Sequence, residues 1–514
     1  MSWEGLDIIF HEYPELRGKI EKLKEYIKNS KLKAGDLLDI QHASASTGIP
    51  EVELKQILER GVKLGIFTRV FRLYCEIRNG FVCEQEEPFD LPSSIFCDLC
   101  GEEHEFTENN MQEAFRINFV YSSNELKHIR DRMGLLGYLA NKLSAEFSDR
   151  PFKDINFLIV LHFLKDLIVF LEACEKLGLE PSKTHLFYKP YLYPHREEIA
   201  SHLKAKGYHV YPLENLEKVL DTLNKQDVNG KFIVIEDGGY IVPLLHKRFP
   251  KLLENTIGAV EQTTRGIRND EQIGNLKIPV LNVAGSKIKN EIEPPHVADA
   301  VIRNLESLLT GERLRGSKAA VLGYGIIGRE IAKRLNSKGM KVTVYDLDEL
   351  KRSRAREDEW VSEVVNESYN AVKNKLLVIG CSGETSIGRE EILSLSHGTY
   401  LVSASSDQRE IGLIELDSLS SNKETLKNEN GRKIGTSYTI RGQNKVIHLI
   451  ADGFPINFWY SESMPNQVSD LILSLIYVSA IELVKKDFEN ELQNVNEISE
   501  KYEIAKIYEQ FHRE

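Results

Sequence analysis

Residues 318–348 read KAAVLGYGIIGREIAKRLNSKGMKVTVYDLD. An apolar run enters Gly323-Tyr324-Gly325-Ile326-Ile327-Gly328, a helix-patterned stretch follows, and a second apolar run ends at Asp346. The first glycine permits a tight turn, the second lets a pyrophosphate approach the backbone, and the third lets helix and strand pack closely. Unpaired N–H groups at the helix start, together with the helix dipole, favour the anion. Asp346 lies 23 positions after Gly323, where a carboxylate accepts hydrogen bonds from both ribose hydroxyls and repels a 2′-phosphate. The stretch predicts a Rossmann unit that binds NAD in preference to NADP through Gly323, Gly325, Ile326, Ile327, Gly328 and Asp346.

Upstream, the apolar runs INFLIVLHFL, THLFYKPY, YHVYPLE and KFIVIEDGG alternate with the helical patterns DLIVFLEACEKLG, HREEIASHLKAKG and NLEKVLDTLNK. Such alternation implies a parallel sheet buried on both faces. The expected fold is α/β, with two doubly wound Rossmann-like domains: a substrate-type domain at 150–300 and an NAD-binding domain at 301–455. Helices at 456–514 are expected to return to the substrate domain. A ligand belongs where the two sheets meet.

Composition agrees with a chain of several domains. At 514 residues it exceeds one core, and 41% apolar with 28% charged residues is globular. A net charge of −12 argues against nucleic acid as the main partner. The N-terminus lacks the apolar core of a signal peptide. The two most apolar runs are interrupted by His162, Lys165 and Asp166 or, in LILSLIYVSAIEL, too short for a bilayer. A cytoplasmic location with no membrane partner is expected.

Residues 1–74 contain a helix, a turn at Thr47-Gly48-Ile49-Pro50, the periodic helix VELKQILERGVKLG and the strand-like IFTRVFRLYCEI, the order of a winged helix. Leu54, Ile57, Leu58 and Val62 form its buried stripe. Its outward face mixes Glu51, Glu53 and Glu59 with Lys55, Gln56 and Arg60, which suits a protein partner better than DNA. Residues 75–115 then hold Cys75, Cys83, Cys97 and Cys100, followed by His104. One true C-x-x-C supports structural zinc on these four cysteines, with His104 able to replace one. Free thiols in a small β unit are the other reading. Residues 116–149 are expected to be a helical linker.

Five collinear segments between residues 150 and 485 carry a further signal: LHFLKDLIVFLEACEKLG, IEDGGYIVPLLHKRFP, EQTTRG, IPVLNVAGSKIKNEIE and VIHLIADGFPINF with MPNQVSDLILS. Together with the glycine loop they resemble the S-adenosylhomocysteine hydrolase family. The resemblance implies a tightly held NAD that oxidises a ribose 3′-hydroxyl, so that the 4′ C–H becomes acidic. A 5′ thiol is then eliminated, water adds, and the ketone is reduced again. It implies His162 and Asp237 as proton-transfer groups and Lys289 at the 3′-hydroxyl, with Glu293 in place of an aspartate. Thr263, Thr264 and Asn457 fall at its cofactor contacts, with Arg265 where it has a third threonine. It also implies a homo-oligomer.

The departures fall on nucleoside recognition. Gln262 replaces a ribose-binding glutamate, Leu164 a threonine, Pro294 an asparagine and Ser406 a histidine, while FWYSESMP at 458–465 lacks the family's His-Pro segment. Each loss removes a buried hydrogen bond of about 1–3 kcal/mol. A nucleoside-type small molecule, altered in detail, is the expected substrate, with Gln262 in its pocket. The adenosylhomocysteinase-like enzyme is the leading reading. Two others stand beside it: an NAD enzyme on another ribosyl or hydroxyl substrate, and a non-catalytic NAD sensor acting through the N-terminal module on a protein partner. Residue by residue, His162 also fits a core histidine, Asp237 an Asp-Gly turn, and Lys289 a surface lysine.

Overall fold

In the computed structural model, Lys318–Leu322 is the third strand of an eight-stranded sheet and is buried from Ala319 onward. The structure describes all residues except 1–5, 7–8, 10–12, 33–34, 76, 79, 87–93, 98, 106–110, 119, 227–229, 430 and 513–514. Sheet order is Glu363–Val364, Lys341–Tyr345, Lys318–Leu322, Leu377–Gly380, Thr399–Ser403, Val446–Ile450, Lys433–Ile440 and Ser420–Lys427. The first six strands run parallel. The last two add antiparallel pairings.

The substrate-type sheet is parallel throughout: Leu492–Asn494, Val280–Asn282, Thr256–Glu261, Phe232–Glu236, Asn156–Val160, Thr184–Tyr188 and His209–Pro212. Its central strands Asn156–Val160 and Phe232–Glu236 are buried at every position, as apolar runs covered on both faces must be. The helix Lys287–Leu308 joins the domains. Its first turns carry Lys289 and Glu293, and its later residues Val301, Leu305 and Leu308 pack in the NAD-domain core. The expected boundary at 300/301 therefore falls inside one helix.

Two other boundaries are corrected. Residues 116–149 are no linker: the helices Ser123–Arg132 and Gly134–Glu146 bury Leu126, Leu136, Leu139 and Leu143 in the substrate-domain core. The C-terminal segment supplies an edge strand, Leu492–Asn494, besides its helices. The division at 74/75 cuts one sheet, because Leu37–Leu38, Met111–Ile117, Phe67–Tyr74 and Phe81–Glu86 pair antiparallel in that order. Helices Arg17–Asn29, Ile40–Thr47 and Glu51–Lys63 cover it, with Leu54, Ile57 and Leu58 buried. This module abuts the substrate domain, since a Cβ on Gly65 would lie 1.8 Å from the Ala205 carbonyl oxygen.

LILSLIYVSAIEL lies within the helix Asn466–Lys485, which is long and apolar enough to cross a bilayer but buries Val468 through Leu483 in the protein core. Apolar matter on all sides of a helix marks an interior helix as readily as a membrane one. The carboxylate of Asp470 on this helix is wholly buried and caps its neighbour Gly134–Glu146, accepting from Leu135 N–H at 2.9 Å and Leu136 N–H at 2.8 Å. His512 Nε2 lies 2.7 Å from the same carboxylate. Asp470→Ala strands both buried donors and should cost about 2–4 kcal/mol, read as a lower urea midpoint.

Candidate functional site

Both sheets turn the carboxyl ends of their strands toward one cavity of about 910 Å³. Gly323 follows Lys318–Leu322 and Asp346 follows Lys341–Tyr345. Asp237 follows Phe232–Glu236, Gln262 follows Thr256–Glu261, and His162 lies just past Asn156–Val160. Carboxyl ends are where a doubly wound sheet offers free backbone and open space. His162, Asp237, Gln262, Thr263, Thr264, Lys289 and Glu293 all reach the cavity wall. So do Gly323, Gly325, Ile326, Ile327, Asp346 and Asn457.

The three glycines answer three different demands. Gly323 has φ +99°, and a Cβ there would strike the Cys381 and Ser382 backbone at 2.7 Å. Gly325 caps the helix Ile326–Ser337 and faces open space, with no atom within 4 Å of a Cβ. Gly328 stands off the cavity wall because a Cβ would meet the Gly323 carbonyl oxygen at 2.0 Å. It sets the helix against the strand, as the spacing predicts. Asp346 is mostly buried and already accepts Tyr324 N–H at 2.6 Å and Asp348 N–H at 2.9 Å. Its position is thus fixed before any ribose arrives.

A dinucleotide fits these residues. The open space at Gly325 admits a pyrophosphate, and the buried Asn457 Oδ1 has no hydrogen-bond partner. Asn457 Nδ2 donates to Ser463 Oγ at 3.0 Å, which leaves Oδ1 as the acceptor a carboxamide N–H would satisfy. Thr263 lines the cavity, and its hydroxyl also caps Gly266 N–H at 3.0 Å and donates to Glu261 at 2.7 Å. It is occupied inside the protein. Thr264 opens the helix Thr264–Glu271 on the cavity wall.

At the opposite end, Asp237 is the hub. Its carboxylate is nearly inaccessible and accepts from Lys189 Nζ and Gln262 Nε2, with His162 Nε2 at 3.1 Å. Burial pushes this carboxyl up, but the charges of His162 and Lys189 override it and hold it well below the usual range. Asp237 is therefore a fixed anion. His162 sets Nε2 against Asp237 and Nδ1 2.6 Å from the Tyr193 hydroxyl, so both ring nitrogens are held by protein partners. Phe458 stacks on the same ring with centroids 4.0 Å apart. The core-histidine and turn-aspartate readings are both too plain, since the two side chains contact each other and the cavity.

Lys289 Nζ donates to Glu293 Oε2 at 2.6 Å, one helical turn on, and Lys289 is only 8% exposed. It is no surface lysine. Sequence reasoning missed Lys189, which is fully buried just past the strand Thr184–Tyr188. The signal was its place in YKPYLYP at a strand's carboxyl end. Asp407, from the loop after Thr399–Ser403, was also missed: it accepts the hydroxyls of Tyr191 at 2.7 Å and Tyr240 at 2.6 Å and pairs with Arg265. These bonds tie the NAD domain to the substrate domain beside the cavity.

Glu261 explains the stretch EQTTRG from within. It is wholly buried and accepts N–H groups of Gly239 at 2.8 Å and Thr263 at 2.6 Å, so it shapes both the Asp237 turn and the helix start. A Cβ on Gly266 would lie 2.0 Å from its carboxyl. Burial, with Glu236 and Asp237 nearby, pushes Glu261 up to about 8. Burial, with Glu236 and Glu261 nearby, pushes Asp270 up to about 9, and both its carboxyl oxygens are buried without a hydrogen-bond partner.

In the N-terminal module, Cys75, Cys97, Cys100 and His104 come together with their ligand atoms within 4.8 Å of one another. Cys83 does not join them. It sits on the strand Phe81–Glu86 opposite Leu73, and the pleat sends it elsewhere.

Residues 297–405 match the family model described as D-isomer specific 2-hydroxyacid dehydrogenase, NAD binding domain. The chain thus contains an NAD-binding domain. It is 29% identical to the adenosylhomocysteinase of Thermotoga maritima over 373 residues, covering 68% of this chain and 84% of that one. It is 26% identical to the S-inosyl-L-homocysteine hydrolase of Methanocaldococcus jannaschii, covering 70% and 85%. The corresponding enzyme of Methanopyrus kandleri is 27% identical, covering 70% and 83%.

Lys189→Met leaves the Asp237 charge short of a cation and should destabilise the fold by about 3–5 kcal/mol, seen in urea unfolding. A raised acid pKa gives the opposite pH sign to a depressed one. The stability contributed by protonated Asp270 is complete below about pH 4 and is lost as pH climbs through about 9. Asp270→Asn should therefore flatten the decline in melting temperature between pH 5 and 9, on the order of a few °C.

Proposed function

Taking the chain as a divergent relative of the S-adenosylhomocysteine hydrolases, we propose that it is an NAD-dependent hydrolase of an S-nucleosyl homocysteine thioether. The observation that carries this reading is the single cavity on whose walls the glycine loop and Asp346 stand with Lys289, Glu293, His162 and Asp237. When bound, NAD supplies a two-electron acceptor that is restored within each cycle. The rest is done by this chain's side chains.

Lys289 and Glu293 form a hydrogen-bonded pair that can take the proton of a ribose 3′-hydroxyl and later return it. Asp237, held as an anion, orients His162, and these two cavity-lining side chains are the pair for proton transfer at the 4′ and 5′ carbons. Apolar walls from Leu164, Phe458 and Met464 keep water out of the nucleoside end. Relatives named for adenosyl and for inosyl substrates are about equally similar, so the base is decided by this chain's own pocket. Asp166 belongs to that pocket: it lines the cavity with Ser469, and burial pushes its carboxyl up. A carboxylate there can accept a hydrogen bond from the N–H groups of a purine edge.

The purified chain is expected to release homocysteine from S-adenosylhomocysteine or S-inosylhomocysteine, with a thiol reagent as readout. Lys289→Ala should lower kcat by about 10²–10⁴ while leaving bound NAD unchanged. Retained NAD with no thiol from either substrate would sink the hydrolase reading.

A further inference from the structure

We propose that Cys75, Cys97, Cys100 and His104 form a structural zinc site that cross-links the excursion between the strands Phe67–Tyr74 and Met111–Ile117. Tetrahedral bonds of about 2.3 Å to sulfur and 2.0 Å to nitrogen separate ligand atoms by about 3.3–3.8 Å. The observed spread of up to 4.8 Å closes to that on slight contraction. Cys100 Sγ and His104 Nε2 are already 3.2 Å apart.

The backbone is folded for the purpose. Arg78 N–H points at Cys75 Sγ, 3.2 Å away, and Cys75 N–H donates to the Gly80 carbonyl at 2.8 Å. The Cys97 carbonyl accepts Gly101 N–H at 2.8 Å, and Cys97 N–H donates to Glu102 O at 2.8 Å, which turns Cys97 and Cys100 to one side. His104 lies on Glu103–Glu105, paired with Ile95 on the strand Ser94–Phe96. Four ligands thus converge from two turns and a hairpin. Cys75 and Cys97 are fully buried.

A second observation points the same way. Among the described residues, four large apolar side chains around the cluster face outward: Ile77 is 57% exposed, Phe81 47%, Phe96 60% and Leu99 48%. Burial that small cannot hold such a unit together, and units without a core are held by disulfides or metals. Three thiolates and an imidazole are soft donors that select zinc, and four protein ligands leave no position open for chemistry. Binding releases the thiol protons to solvent.

Metal analysis of the purified full-length chain should find about one zinc per chain. Cys97→Ser and His104→Ala should each bring the count near zero, whereas Cys83→Ser should keep it. Thiol titration of the unmodified protein supplies the second readout: Cys75, Cys97 and Cys100 should react only after chelation. A folded chain without zinc, a disulfide among these cysteines, or loss of metal in Cys83→Ser equal to that in Cys97→Ser would overturn the site. If the variants fail to fold, the metal count and thiol titration of the unmodified chain decide.

Discussion

The charge on Asp237 organises the cavity. A carboxylate removed from water is costly unless every lone pair is answered, and here Lys189, His162 and Gln262 answer it from three separate strand ends. Those contacts fix the orientation of the histidine, and through Tyr193 and Phe458 they fix the aromatic wall beside it. The replacement that seemed to erode the site, Gln262, serves as one of the donors. A second carboxylate at that position would have added a like charge against Asp237.

Polar contacts join the two domains beside the cavity. Asp407 reaches across to Tyr191, Tyr240 and Arg265. Glu410 gathers Ser386 at 2.5 Å, Ser405 at 2.5 Å and Gly383 N–H at 2.6 Å, which binds the neighbouring NAD-domain loops together. Such hydrogen bonds hold geometry while remaining exchangeable with water. The helix Lys287–Leu308 crosses from one domain to the other as one continuous helix, with Pro294 and Pro295 inside it. It brings Lys289 and Glu293 to the cavity that Asp237 also lines while anchoring its far end in the NAD-domain core.

Near the middle of the substrate sheet, Glu236, Glu261 and Asp270 crowd three buried carboxyls under the loops that carry Asp237 and Thr264. Glu236 and Glu261 are used as backbone acceptors in place of water, and each fixes a turn. Asp270 has no such use among the described contacts. Its burial is affordable only with a proton.

The sequence by itself determined the glycine loop, Asp346 and the parallel sheets, while His162, Asp237 and Lys289 were legible only through the family resemblance. The loop and the sheets depend on local spacing: a turn that only glycine can make, and strands whose apolar runs require cover on both faces. It also brought the cysteines near one another in number. Only the tertiary structure decided which partners the charged groups take. Lys189 and Asp237 are 48 positions apart, and Asp407 and Tyr191 are 216 apart. The choice of His104 over Cys83 rests on which side of a pleated strand a residue faces and which hairpin folds beneath it. The helices at 116–149 show their apolar stripe in the sequence, at Leu135, Leu136, Leu139 and Leu143. What covers it, the helix Lys165–Lys176 together with residues 458 to 507, is set only by the tertiary fold.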